Sequence, residues 1–161
     1  MLKKEKAFAA MYTDFADDIY RFLLVHVRDA DTAEDLTADT FTKAWNQYDS
    51  FDGRYGRAWL YTIARNLLTD YWRKKRPVPL DETLDVPDDA PPPEETLDNK
   101  MRAKKIVDAV AKLPNDMKSV VTLRFLQGQS VRDTAQALGL SEANVRVIQY
   151  RALKKLKGVL A

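Results

Sequence analysis

Apolar side chains recur along most of this chain at spacings of three and four residues, the signature of amphipathic α-helices. The first stripe uses Phe8, Met11, Tyr12, Phe15, Ile19, Phe22 and Leu23. A second runs through Ala33, Leu36, Thr40, Phe41, Ala44, Trp45 and Tyr48, with Thr32 expected to cap its start. A third uses Trp59, Leu60, Ile63, Ala64, Leu67, Leu68 and Tyr71 and ends in Arg73-Lys74-Lys75-Arg76. Three helices over residues 1–76 are enough to share one modest core. Beyond residue 100 the pattern resumes. One stripe, from Leu97 through Met101, Ile106, Val107 and Val110 to Leu113, stops at Pro114. The next, Met117 to Leu126, stops at Gly128, a natural terminating glycine. A short helix over 131–138 and a longer one from Glu142 to about Leu156 complete the reading. No alternating strand pattern competes, so the expected fold is all-α, in two small helical domains.

Between them the pattern fails. Residues 77–100 hold six of the seven prolines and almost no large apolar side chain. Proline removes an amide donor and restricts the residue before it, so neither helix nor strand is expected there. The same segment holds eight acids and one base, which repel and favour an extended linker. The domain boundaries expected are therefore 1–76, 77–100 and 101–161.

Charge sharpens this division. The net +2 divides into +1 for residues 1–76 (13 Lys+Arg, 12 Asp+Glu), −7 for the linker and +8 for residues 101–161 (12 and 4). A basic C-terminal third suits a polyanionic partner, although a solvated helical surface has the same composition. With no cysteine and one histidine, His26, disulfides and thiolate or histidine metal clusters are excluded. No metal, cofactor or catalytic residue is expected. His26 reads as a helix-surface residue near a helix C-terminus. No signal peptide or apolar run of membrane length is visible, so a cytoplasmic location without membrane insertion is expected.

Residues 131–150 carry the best-specified local motif. Val131, Ala135 and Leu138 share a face, and Gly139 allows a positive φ. Leu140 plugs the corner, Ser141 caps the next helix, and Val145 and Ile148 return to the core. This is helix-turn-helix spacing, whose second helix enters a major groove, though an ordinary helical hairpin shares it. The second helix offers Asn144, Arg146, Gln149, Tyr150 and Arg151, then Lys154, Lys155 and Lys157. Asn, Gln and Arg can read base edges, whereas lysines suit phosphates. In the N-terminal half, Trp59 and Tyr61 stand beside Arg65 and Asn66 on one helix. Aromatic faces stack on unpaired bases, but the same two aromatics would serve equally well as core.

Taken together these segments resemble the sigma-70 family, in its extracytoplasmic-function group with regions 2 and 4 only. Residues 33–45, Ala33-Glu34-Asp35-Leu36-Thr37-Ala38-Asp39-Thr40-Phe41-Thr42-Lys43-Ala44-Trp45, resemble region 2.2, which docks on the β′ clamp helices of RNA polymerase. The resemblance implies core polymerase contacts at Asp35, Asp39, Thr42, Lys43 and Trp45. Residues 59–66, continuing through Asp70-Tyr71-Trp72-Arg73, resemble regions 2.3 and 2.4, which open and read the −10 element. The loop from Phe51 to Arg57 sits where the family captures a flipped base. Phe51, Trp59, Tyr61, Arg65, Asn66 and Arg73 are thus implied at −10 DNA. Leu113-Pro114 and the helix-turn-helix resemble region 4, which reads the −35 element and touches the β flap. Asn144, Arg146, Gln149, Tyr150, Arg151 and Lys155 are implied at −35 DNA. Two positions depart from the family pattern: Ala38 replaces a common glutamine, and Ile148 and Gln149 exchange the usual polar and apolar order, which predicts a slightly rotated recognition helix.

The implied function is a sigma factor: not an enzyme, but a chain that brings core RNA polymerase to promoter DNA and opens the −10 strand, with an anti-sigma factor as a further partner. A linker of about 23 residues at roughly 3.3 Å each spans up to about 75 Å, more than the about 58 Å of a roughly 17-base-pair spacer. The competing reading is an autonomous helix-turn-helix regulator with an N-terminal sensing or dimerisation domain, which leaves residues 33–45 and 59–73 unexplained. A nuclease would need a carboxylate cluster, and the acids here are concentrated in the linker or spread along helices.

Overall fold

A computed structural model describes residues 2–75 and 98–160, and the described residues are helical apart from short turns and loops. The expected linker lies almost wholly outside them. The helices are α1 (Lys3–Val27), α2 (Ala30–Asn46), α3 (Gly56–Lys75), α4 (Asp98–Ala111), α5 (Asn115–Val121), α6 (Val131–Leu138) and α7 (Glu142–Leu160). A single 3₁₀ turn, Tyr48–Ser50, follows α2. After α5 the helix widens over Thr122–Leu126, where the Gln127 amide donates to the Thr122 carbonyl at 3.0 Å, five residues back.

The helix ends follow from local chemistry. α1 stops at Arg28, whose left-handed backbone (φ 55°) lets its amide close on the Leu24 carbonyl. The N-cap of α2 is Asp29, not Thr32: the Asp29 carboxylate accepts the Thr32 amide at 3.0 Å and the Thr32 hydroxyl at 2.6 Å. An ionised side chain at the cap position accepts more strongly than a hydroxyl three residues on, and these bonds hold the Asp29 carboxyl below its usual pKa. Ser130 and Ser141 cap α6 and α7 through the amides of Asp133 and Asn144.

α1, α2 and α3 pack on one another around Ile19, Phe22, Leu23, Ala33, Leu36, Phe41, Leu60 and Ile63. This core does not stop at the boundary between the halves. It continues through Tyr61, Ala64 and Leu68 into Val120, Leu123, Ala135, Ala137, Leu138 and Val145. A smaller cluster joins Val25 of α1 to Val110, Leu113, Val121, Ala152 and Leu156. The two expected helical units therefore lie face to face, with α3 against α6 and the end of α1 against α4 and α5.

Candidate nucleic-acid interface

One face of α2 is open. Asp35, Asp39, Thr42 and Lys43 are exposed while Leu36, Thr37, Thr40, Phe41 and Ala44 point inward. Trp45 is partly covered, with Phe8 edge-on at 5.1 Å and the Lys4 ammonium 4.3 Å above its ring. All five residues implied at the polymerase thus lie on the solvent side of a helix whose opposite face is anchored in the core.

The residues implied at −10 DNA divide into two groups. Phe51 stacks on Trp59 with centroids 4.3 Å apart and planes 12° apart, and both rings are half-buried. Asn66 and Arg73 are exposed, Arg73 with Asp70 at 3.3 Å. Tyr61 and Arg65, on the same helix, are taken up by the other half of the chain. Tyr61 is 0% exposed; its hydroxyl donates to Gln127 Oε1 and lies 3.5 Å from Gln129 Nε2. Burial, then the nearby Asp18 charge, pushes its pKa up. Gln127 in turn donates to the Asp18 carbonyl at 2.8 Å. Arg65 donates through Nε to the Ala137 carbonyl at 3.2 Å, and its pKa is lowered by desolvation. Arg57 approaches Asp133 of α6 at 4.0 Å.

A second joint closes the far end. Arg28 pairs with Asp108 of α4 at 2.6 Å, both side chains mostly buried. His26, read from sequence as a surface residue, is 2% exposed. It lies in the inward stripe of α1, ring to ring with Phe22 at 4.9 Å. Its Nε2 shares a 3.0 Å hydrogen bond with Ser119 Oγ of α5. Burial first and the Lys118 charge second lower its pKa to about 3, so it is neutral in the folded chain. Lys118 is itself buried and is lowered to about 8 by desolvation and by Arg28.

The helix-turn-helix has the geometry its residues require. Gly139 sits at φ 66°, and the Leu140 amide closes on the Ala135 carbonyl at 2.9 Å. Val145, Ala152 and Leu156 of α7 are buried and Ile148 is half-buried. This sets the rotation of the recognition helix. Asn144, Arg146, Tyr150, Arg151 and Lys155 face solvent, Tyr150 at 69%, and Arg146 approaches Glu142 at 3.7 Å. Gln149 instead turns toward the body of the domain, where its Oε1 accepts from Arg124 Nε at 2.9 Å. Arg124 also donates to the Gln129 carbonyl at 2.6 Å, bracing α7 against the turn before α6. Sequence reasoning missed Arg124, Gln127, Gln129, Asp108 and Ser119. Each acts through a partner distant along the chain or outside its own helix, and none carries a local signal.

Comparison with known proteins agrees with this architecture. Residues 11–78 match the Sigma-70 region 2 family and residues 103–156 match Sigma-70, region 4. The chain is 38% identical over 159 residues to the ECF RNA polymerase sigma factor BldN of Streptomyces coelicolor, covering 96% of this chain but 60% of that protein. It is 34% identical over 161 residues to the ECF RNA polymerase sigma factor SigX of Bacillus subtilis, covering 95% of this chain and 83% of SigX. Its fold resembles the sigma factor RpoE of Bartonella quintana, solved in complex with the anti-sigma factor NepR, with a TM-score of 0.73, 26% identity and coverage of 96% and 97%. CnrH, solved with the cytosolic domain of CnrY, shares the fold at the same TM-score. Two family regions in order on one chain whose described residues are helical apart from short turns and loops, with a capped helix-turn-helix in the second, and 34% identity to SigX establish that this protein belongs to the extracytoplasmic-function group of sigma-70 RNA polymerase sigma factors.

Proposed function

We propose that this chain directs core RNA polymerase to promoters and opens the −10 strand, acting by binding rather than by catalysis. The exposed face of α2, with Asp35, Asp39, Thr42, Lys43 and Trp45, is the polymerase-docking surface. Phe51, Trp59, Tyr61, Arg65, Asn66 and Arg73 serve the −10 strand, and Asn144, Arg146, Tyr150, Arg151 and Lys155 of α7 serve the −35 duplex. Gln149 is assigned to positioning, since its amide is held by Arg124. Unstacking bases costs a few kcal/mol per step, and stacking aromatics on an exposed strand return about 1–3 kcal/mol per base.

The observation that carries the reading is the placement of α6 over α3. Arg65 and Tyr61, implied at the open strand, are occupied by Ala137, Gln127 and Gln129 of the other half. The free chain thus holds Tyr61 and Arg65 closed while α7 stays open to solvent, and docking on polymerase separates the halves so that each reaches its own element. A chain whose −10 residues Tyr61 and Arg65 are held by its other half is a natural target for a protein that keeps the two halves together, which fits an anti-sigma partner. The test is permanganate footprinting of promoter DNA. Reactive thymines at −10 are expected only when chain and core polymerase are both present. Tight, sequence-specific duplex binding by the chain alone would instead indicate an autonomous regulator.

A further inference from the structure

The outward ridge of the recognition helix is not the one that the arginines suggested. At 3.6 residues per turn, Val147 lies about 160° around α7 from Val145, about 140° from Ala152 and about 180° from Leu156. Those three residues are the buried side of the helix. Ala143, Val147, Tyr150 and Lys154 therefore form the line that points straight away from the domain, and all four are exposed. Arg146 and Arg151 stand on either flank of that line, about 100° and about 120° from the buried side. A helix with side chains is about 10–12 Å across and the major groove about 12 Å wide. Flanking side chains then meet the phosphate walls while the outward ridge meets the base edges.

The first two turns of a recognition helix are the part that reaches deepest. In this chain the outward ridge over those turns is apolar: Ala143, then Val147 at 45% exposure. A β-branched residue on a solvated helix face gives up helix propensity relative to Ala or Lys, and Val147 sits on the opposite side from the core. Around it lies a cationic surround of Arg146, Arg151, Lys154 and Lys155. Among the groups a base pair presents in the major groove, the one apolar feature is the C5 methyl of thymine. We propose that Val147 is a specificity-determining residue that reads a thymine methyl in the −35 element, with Arg146 and Arg151 holding the flanking phosphates.

This rests on the sigma-factor reading above, and the test separates the two. Full-length chain with core polymerase first selects −35 sequences from a randomised promoter library. Each −35 thymine on either strand of the selected promoter is then replaced singly by deoxyuridine, which lacks only the methyl, and open-complex formation is measured in competition. At one thymine a loss of about 4-fold is expected. At about 1.4 kcal/mol per tenfold, this is the ~0.8 kcal/mol of one buried methyl group. Val147→Ala should shrink that loss below about 2-fold, and Val147→Thr, which keeps a methyl, should retain it. Equal use of thymine and deoxyuridine at every position overturns the assignment, as does a methyl preference unchanged in Val147→Ala, or a selected −35 element without thymine on either strand. A library yielding no initiation at all removes the sigma-factor reading and this inference with it. The melting temperatures of both variants confirm that the fold is intact.

Discussion

Acid should loosen the joint between the two halves through His26. The imidazole is 2% exposed between Phe22 and Ser119, and its pKa falls from 6.5 to about 3 through burial and the Lys118 charge. Because the folded pKa lies below the unfolded one, the unfolded chain takes up the proton first. The stability that neutral His26 contributes is complete above pH 6.5 and is lost progressively as pH falls toward 3. At pH 5 the unfolded imidazole carries almost a full proton and the folded one almost none. A separation of 1.5 pH units at about 1.4 kcal/mol each gives a loss of about 2 kcal/mol. Other groups of the chain titrate over the same range, so the comparison must be with a variant that lacks only the imidazole. Urea unfolding of wild type and His26→Leu at pH 7.5, 6.5, 5.5 and 5.0 provides it. His26→Leu is expected to change stability at neutral pH, and the gap between the two proteins should shift by about 2 kcal/mol in favour of the variant between pH 7.5 and 5.0. Parallel curves across this range would refute a buried neutral His26.

Three further outcomes follow from the same geometry. Tyr61→Phe removes the hydroxyl shared with Gln127 and Gln129; it should cost about 1–2 kcal/mol in chemical denaturation, because buried amide groups lose a partner. Asp35→Arg, on the open face of α2, should weaken binding to core polymerase in a titration, more at low salt than at high salt, since exposed charges are screened. Lys155→Ala should weaken holoenzyme binding to all −35 variants about equally and lower the salt slope by about one, the mark of a phosphate contact.

Much of the fold was legible because it is local. The stripes of α1, α2 and α3, the left-handed Gly139 and the Ser141 cap each depend on residues within four or five positions of one another. His26 shows where residue type misled and periodicity did not. It continues the spacing Ile19, Phe22, Leu23, and its burial follows from that stripe, whereas a histidine near a helix end suggested the surface. The α2 cap was displaced to Asp29 because two cap-forming residues stand three positions apart and the carboxylate accepts from both the amide and the hydroxyl of Thr32. The covering of Tyr61 and Arg65 had no local signature. It arises from Gln127, Gln129 and Ala137, more than sixty residues further on, and Gln-Gly-Gln reads in isolation as a turn. Gln149 was ambiguous for a related reason: its orientation is set by Arg124 on another helical segment.

Promoter direction by this chain is read out by mapping transcript 5′ ends from a complete promoter library, using core polymerase with and without the chain. A discrete set of start sites is expected only when the chain is added, each preceded by common −10 and −35 sequences. Start sites that are the same with and without the chain would contradict it.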